Sequence, residues 1–467
     1  MGYDKRSMKA EEFINDEEIR RVLFLGSKKS DNKEEVLRII EKAETLCGLS
    51  IEEAATLAYV AEPKLKKRMF EAAKTIKDRI YGRRIVMFAP LYLSDYCVNG
   101  CKYCEYNCKS GMNRKRLDHD EIEAEVRALE EMGHKRLALE AGEDPQNCPI
   151  EYILDAIKTV YGVKLKNGEI RRVNINIAAT TVENYRKLKE AGIGTYILFQ
   201  ETYNKQRYEE LHTGPKADYE YHTTAMDRAQ QGGIDDVGIG ALFGLYSDWR
   251  YDLMGLFMHA EHLESVFGVG PHTISVPRVK PTHDVDTSLF TPVSDEDFKR
   301  ITAIIRLTVP YTGLIISTRE SEEMRAQLIE LGVSQLSAGS ATGVGGYTKM
   351  GQKPQFIVSD ERTPLEVTKD LMKRGYIPSF CTACYRAGRT GDRFMQFAKS
   401  GNICNFCQPN ALMTLKEYAC DYGDAEFREL ADRLIAEEIK RVPDETVRQK
   451  ALDNLQAIEA GQRDFRF

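Results

Sequence analysis

The chain predicts an α/β fold: a (β/α)8 barrel of TIM type with helical extensions at both ends. Three observations carry that expectation. Eight short apolar runs lie between residues 85 and 338, alternating with segments of helical spacing. Three cysteines follow the first run directly, at the carboxyl end of a strand, where such barrels keep their chemistry. The stretches before residue 85 and after residue 358 have a different, mainly helical texture. A doubly wound sheet would share the alternation, but the count of eight favours the closed barrel.

The elements follow in order. Before the barrel, Asp31–Leu46, Ser50–Ala61 and Pro63–Ile80 carry apolar residues at helical spacing. The eight strand candidates are Ile85–Tyr92, Arg136–Glu140, Val173–Ala178, Thr195–Glu201, Val237–Phe243, Thr273–Pro277, Gly313–Ser317 and Ser334–Ala338. Between the first two, Asp118 can cap a helix whose Ile122, Val126 and Leu129 face inward, and Gly133 can end it. Ser294, with Asp297 three residues on, starts another helix that stops before Pro310. Ser321 starts a third, ended by Gly332. The tail concentrates cysteines between Cys381 and Cys407 and ends in charged helices over Leu415–Ala460. The expected division is therefore an N-terminal helical segment (1–84), the barrel (85–358) and a C-terminal extension (359–467).

Composition narrows the class of function. A net charge of −6 with both signs mixed, and no basic tract, argues against nucleic acid as a partner. No run of 18 apolar residues suggests a membrane span, and Met1–Asp16 lacks the apolar centre of a signal peptide. Eleven cysteines in such a chain read as metal ligands in a reducing cytoplasm, not as a disulfide framework.

Cys97, Cys101 and Cys104 form a C-x3-C-x2-C motif with Tyr103 before the last cysteine. Three thiolates so close in sequence suit three irons of a [4Fe–4S] cubane and leave one iron open. Zinc sites favour C-x2-4-C pairs instead. The motif is the signature of the radical S-adenosyl-L-methionine (SAM) superfamily, whose open iron chelates SAM. Glu140-Ala141-Gly142-Glu143, after the second run, resembles that superfamily's GGE motif, which binds the SAM ammonium. Tyr103 is expected at the adenine and Glu201 at the ribose or amino group. Asn174 and Asn176 alternate on one strand and so share a face, expected to be the barrel interior. His222 falls where related barrels carry an arginine for the SAM carboxylate, with Arg228 nearby. Arg278 and Arg319 follow strand ends and suit an amino-acid carboxylate as bidentate forks.

Cys381-Thr382-Ala383-Cys384 is followed by Cys404 and Cys407. This set suits zinc or a second iron–sulfur cluster, and spacing alone leaves both open. The C-x3-C-x2-C motif, Leu211-His212-Thr213-Gly214-Pro215-Lys216, Asp227-Arg228, Gly238-Ile239-Gly240-Ala241-Leu242, Asp248-Trp249-Arg250 and Ser275-Val276-Pro277-Arg278 together resemble the aromatic amino acid lyases of the radical SAM superfamily. The added C-x2-C-x22-C tail is similar to that of the [FeFe]-hydrogenase maturases among them.

That resemblance implies much. A 5′-deoxyadenosyl radical would take hydrogen from the amino group of L-tyrosine, and Cα–Cβ cleavage would give p-cresol and dehydroglycine. Dehydroglycine would become CO and cyanide at a second [4Fe–4S] cluster on Cys381, Cys384 and Cys407. That cluster would carry a fifth iron supported by His272 and a bound cysteine. An Fe(CO)2(CN)-cysteine unit would then pass to the other maturation proteins and the hydrogenase, with electrons from an external donor. Independently of the resemblance, His272 and Arg278 flank the sixth strand. A strand of about six residues spans roughly 20 Å, so the two residues belong to opposite mouths. Two readings compete: a thiamine-pathway lyase that releases dehydroglycine, and a scaffold that carries a cluster without cleaving anything.

Overall fold

The computed structural model describes residues 2–166, 168–280, 285–348, 353–399 and 403–467. Nine strands are present: β1 (Arg84–Ser94), β2 (Arg136–Ala141), β3 (Arg172–Asn176), β4 (Thr195–Ile197), β5 (Asp236–Gly240), β6 (Thr273–Ser275), β7 (Gly313–Ile316), β8 (Gln335–Ser337) and β9 (Ile377–Ser379). The first eight overlap the eight apolar runs, several of them shorter than expected, as β4 is against Thr195–Glu201. Strands β1 to β8 pair in chain order and all in parallel. The barrel closes because β1 pairs with β2 on one edge and β8 on the other. This is the TIM-type radical SAM fold. Parallel strands put every carboxyl end at one mouth, here called upper, and every amino end at the lower mouth.

The ninth strand adds to the expected mainly helical tail. Ile377–Ser379 pairs with Arg84–Val86, the lower part of β1, opposite the edge that β8 takes. It thereby extends the sheet below β2 and anchors the cysteine-bearing tail to the lower mouth. Three residues with a central proline give no strand signal, since proline is tolerated only at edges.

Local chemistry explains the helix starts. Asp118 and Glu121 form a reciprocal capping box, and Ile122, Val126 and Leu129 of that helix are buried. Ser294 accepts from the Asp297 N–H, and Ser321 from the Met324 N–H. At the N-terminus the structure adds a helix over Asp16–Lys29, capped by Asn15, to the three expected ones, which run Lys33–Glu44, Ile51–Tyr59 and Pro63–Tyr81. The tail carries helices over Cys404–Asp421, Ala425–Glu438 and Glu445–Glu459. No helix among the described residues is long and apolar enough to cross a membrane.

Candidate active site

At the upper mouth a cavity is lined by Cys97, Cys101, Cys104, Tyr103, Ala141, Gly142, Glu143, Asn176, Glu201 and Arg319. The register between β1 and β2 shifts at Tyr92/Ser94. Such an irregularity bends the strand and redirects the chain, here into the cysteine loop. That loop is pinned from three sides. Gly142 N–H donates to Ser94 O, Val98 N–H to Glu143 O, and Gly100 N–H to Thr213 O. Gly142 is needed for close approach: a Cβ there would lie 2.3 Å from the Tyr96 carbonyl oxygen. The three thiols thus face a single chamber against the Ala141–Glu143 turn. Burial pushes the Cys101 thiol up to about 12 and the Cys104 thiol up to about 11, so iron must displace protons to bind them.

Glu201 is a non-glycine residue at φ 69°, a strained backbone held by pairing with Ala241 and by the Leu242 N–H on its carbonyl. Its carboxylate lies 2.8 Å from Lys216 Nζ. Burial works against the Lys216 ammonium, but Glu201 together with Cys101 and Tyr208 outweighs it and raises the pKa. Tyr103 Oη meets His212 Nε2 at 2.8 Å, which fixes the ring. Asn99 ties the cysteine loop to Glu143 Oε2 at 2.6 Å and accepts from the Lys216 N–H at 2.9 Å.

Some expected residues stand elsewhere. Arg278 does not line the cavity. Its guanidinium is held by Glu320 at 2.9 and 2.6 Å and by the Val293 carbonyl, a buried pair behind the wall. Arg228 is spent on Thr180 O and Thr224 Oγ1 and stacks on Tyr221. Asn174 lies below the cavity, with its side-chain oxygen on the Thr195 N–H. Arg319 does face the cavity, with its guanidinium 4.1 Å over the Phe356 ring. Lys216 and Glu140 were not singled out as site residues. The first lies in the short turn Pro215–Ala217 and the second one residue before the end of β2; each sits in a motif noted in the sequence, but the motif alone gives that residue no role.

The lower mouth has a different chemistry. Arg84, Arg136 and Arg172 are the first residues of β1, β2 and β3. Arg136 donates to the Cys381 carbonyl at 2.9 Å, and Arg172 lies 3.2 Å over the Tyr385 ring. His272 immediately precedes β6. Its Nε2 meets Tyr385 Oη at 2.9 Å and its Nδ1 lies 3.4 Å from Asp236 Oδ1. Cys384 and Cys407 share a hydrogen bond, which holds the Cys407 thiol down while Cys384 is pushed up; Arg84 beside Cys407 reinforces this. Cys404 packs in the same small cluster as Cys384 and Cys407. Among the described residues, no three His, Cys, Asp or Glu side chains gather around a single-ion position. A cubane binds each thiolate through a different iron and so needs wider spacing.

Known proteins share this architecture. Residues 91–254 match the Radical SAM superfamily, and residues 275–377 match the Biotin and Thiamin Synthesis associated domain. The 2-iminoacetate synthase of Salmonella typhimurium is 30% identical over 347 residues, 73% of this chain and 89% of that one. A crystal structure of HydG, a maturase of the [FeFe]-hydrogenase, is 56% identical, with a TM-score of 0.94, over 97% of this chain and 100% of its own. The chain belongs to the HydG family. HydG from Carboxydothermus hydrogenoformans superposes with a TM-score of 0.83 at 39% identity, over 96% of this chain and 99% of that one. A HydG-family chain is a radical SAM enzyme related to the tyrosine lyases, and its radical SAM domain implies one [4Fe–4S] cluster and SAM. The upper chamber fits both, with three convergent thiols beside a glycine-permitted turn.

Proposed function

We propose that the protein cleaves L-tyrosine to p-cresol and dehydroglycine, and converts dehydroglycine to CO and cyanide. The product is an Fe(CO)2(CN)-cysteine unit for [FeFe]-hydrogenase assembly. One observation carries this reading: a single barrel has cysteines at both mouths, the upper set beside the SAM chamber and the lower set beside His272. A lyase that released dehydroglycine intact would have no use for the lower set. Bound at the upper cysteines, the cluster with SAM supplies a 5′-deoxyadenosyl radical.

The chain's own groups bind and orient. Cys97, Cys101 and Cys104 hold the upper cluster. Tyr103, fixed by His212, meets the adenine, and the Ala141–Glu143 backbone meets the SAM ammonium. Glu201 meets the ribose. Lys216 is the cation for the SAM carboxylate, in place of Arg228. Arg319 anchors the tyrosine carboxylate by a charge-assisted fork. At the lower mouth, Cys381, Cys384 and Cys407 hold the second cluster, and His272 supports a fifth iron that leaves with the product. Asp236 orients the His272 ring as a second partner, a common arrangement for metal-bound imidazole.

The test is anaerobic turnover with SAM, a reductant and carboxyl-13C tyrosine, followed by infrared spectroscopy. Isotope-shifted Fe–CO bands alongside p-cresol are expected. The variant carrying Cys381→Ala and Cys384→Ala should still form p-cresol but no CO. Normal CO output from that variant would sink the division of labour between the two mouths.

A further inference from the structure

The upper chamber continues downward into a second cavity inside the barrel. The two cavities share a wall. Two of the shared residues carry opposite charge types: Glu140 near the end of β2 and Arg319 after β7. Register places Tyr92, Glu140 and Asn176 side by side on β1, β2 and β3. Asn176 hydrogen-bonds the Glu140 carboxyl, and no lysine or arginine acts on that carboxyl. Across the cavity, Arg319 Nε is buried without a partner among the described residues. A carboxyl and a guanidinium, neither in a salt bridge among the described residues, thus face one junction, with Glu201 and Glu320 acting on the guanidinium only from beyond ion-pair distance. Leaving such groups unpaired is costly unless a ligand completes them.

An α-amino acid carries its ammonium and its carboxylate on one carbon. The junction adjoins Ala141 and Gly142, so a substrate whose carboxylate sits on Arg319 presents its nitrogen beside the SAM chamber. We propose that Glu140 is the residue that receives the substrate's α-ammonium, with one proton of the carboxyl–ammonium pair leaving to solvent. The proposal rests on the tyrosine reading above and assigns the site's second charged anchor.

Burial pushes the Glu140 carboxyl up to about 8. The other titratable groups facing it are the Tyr92 and Tyr106 phenols, both held neutral by burial, with Arg319 beyond. At neutral pH the free site therefore holds a protonated carboxyl. A carboxyl and an ammonium become either a carboxylate–ammonium pair or a carboxyl–amine pair. Both products hold one proton fewer, and that proton goes to solvent. Tyrosine binding should accordingly tighten as pH rises from 6 toward 8.

The experiment is calorimetric titration of tyrosine into anaerobic holoenzyme with SAM but no reductant, so that nothing turns over. Two buffers of different ionisation enthalpy give the proton count. The wild type should release about one proton per tyrosine near neutral pH. Glu140→Gln should abolish the release and weaken tyrosine about 10- to 100-fold, as loss of a charged hydrogen bond does. Glu140→Asp should restore part of both, and an unchanged melting temperature in both variants serves as the fold control. Two analogues fix which end of tyrosine is read. Phenylalanine, which keeps the amine, should lose affinity in Glu140→Gln as tyrosine does. 3-(4-Hydroxyphenyl)propionate, which lacks the amine, should bind wild type and variant equally. The opposite pattern would move Glu140 to the phenol and overturn the proposal. Tyrosine binding by the wild type with no proton release, or equal release in Glu140→Gln, would also overturn it. No tyrosine binding by the wild type would instead overturn the tyrosine reading itself.

Discussion

Arg278 illustrates how position and role separate at the scale of one residue. It follows the end of β6, as expected of a substrate-binding arginine, yet its guanidinium is consumed by Glu320. Sequence gives the strand end but not the direction in which a long side chain turns. A fully paired, desolvated cation is a structural part, and breaking the pair is expensive. Glu320→Ala should therefore lower the unfolding free energy by about 3 kcal/mol, the low end for a broken buried pair because Asp295 also reaches Arg278. Denaturant unfolding measures this, and a change under 1 kcal/mol would contradict it. Arg319, by contrast, keeps an unpartnered Nε in the cavity wall. The two arginines look alike in sequence, and only their partners tell them apart.

At the scale of elements, strands and caps were legible because each rests on local chemistry. Eight apolar runs became eight strands, and Asp118, Ser294 and Ser321 became N-caps. Asp118→Ala removes the side-chain half of a capping box, while the backbone N–H at 118 still donates to Glu121, and should cost about 1 kcal/mol, measurable as a lower melting temperature with SAM binding unchanged. What escaped was short or governed from outside. The β9 strand has three residues and exists because β1 is long enough to offer a free lower edge. The helix over Asp16–Lys29 is strongly charged, which masked its buried stripe of Ile19, Val22, Leu23 and Gly26.

Across the whole molecule, the barrel keeps two sets of cysteines apart. Upper-mouth groups come from the carboxyl ends of strands, and lower-mouth groups from the amino ends and the tail. His272 lies just before β6 and meets Tyr385 and Phe394 of the tail. His272→Ala should leave p-cresol formation near the wild-type rate while iron content falls by about one atom per chain, the share of one imidazole-supported iron. Iron analysis and p-cresol assay read the two effects separately. Unchanged iron together with unchanged hydrogenase activation would remove His272 from the lower centre.

The sequence by itself determined the alternation of strands and helices, the place of the cysteine motif behind β1 and the presence of a second cysteine set in the tail. Each is a matter of spacing along the chain, which local sterics and hydrophobic periodicity translate directly. Tertiary structure alone decided that β9 is what anchors the tail at the lower mouth, that Lys216 rather than Arg228 enters the SAM chamber, and that Arg278 is turned away. It also decided that Glu140 and Arg319 share one junction. These outcomes depend on which side chains meet across strands far apart in sequence, and on which charges find partners once water is excluded. Neither is encoded in any local run of residues.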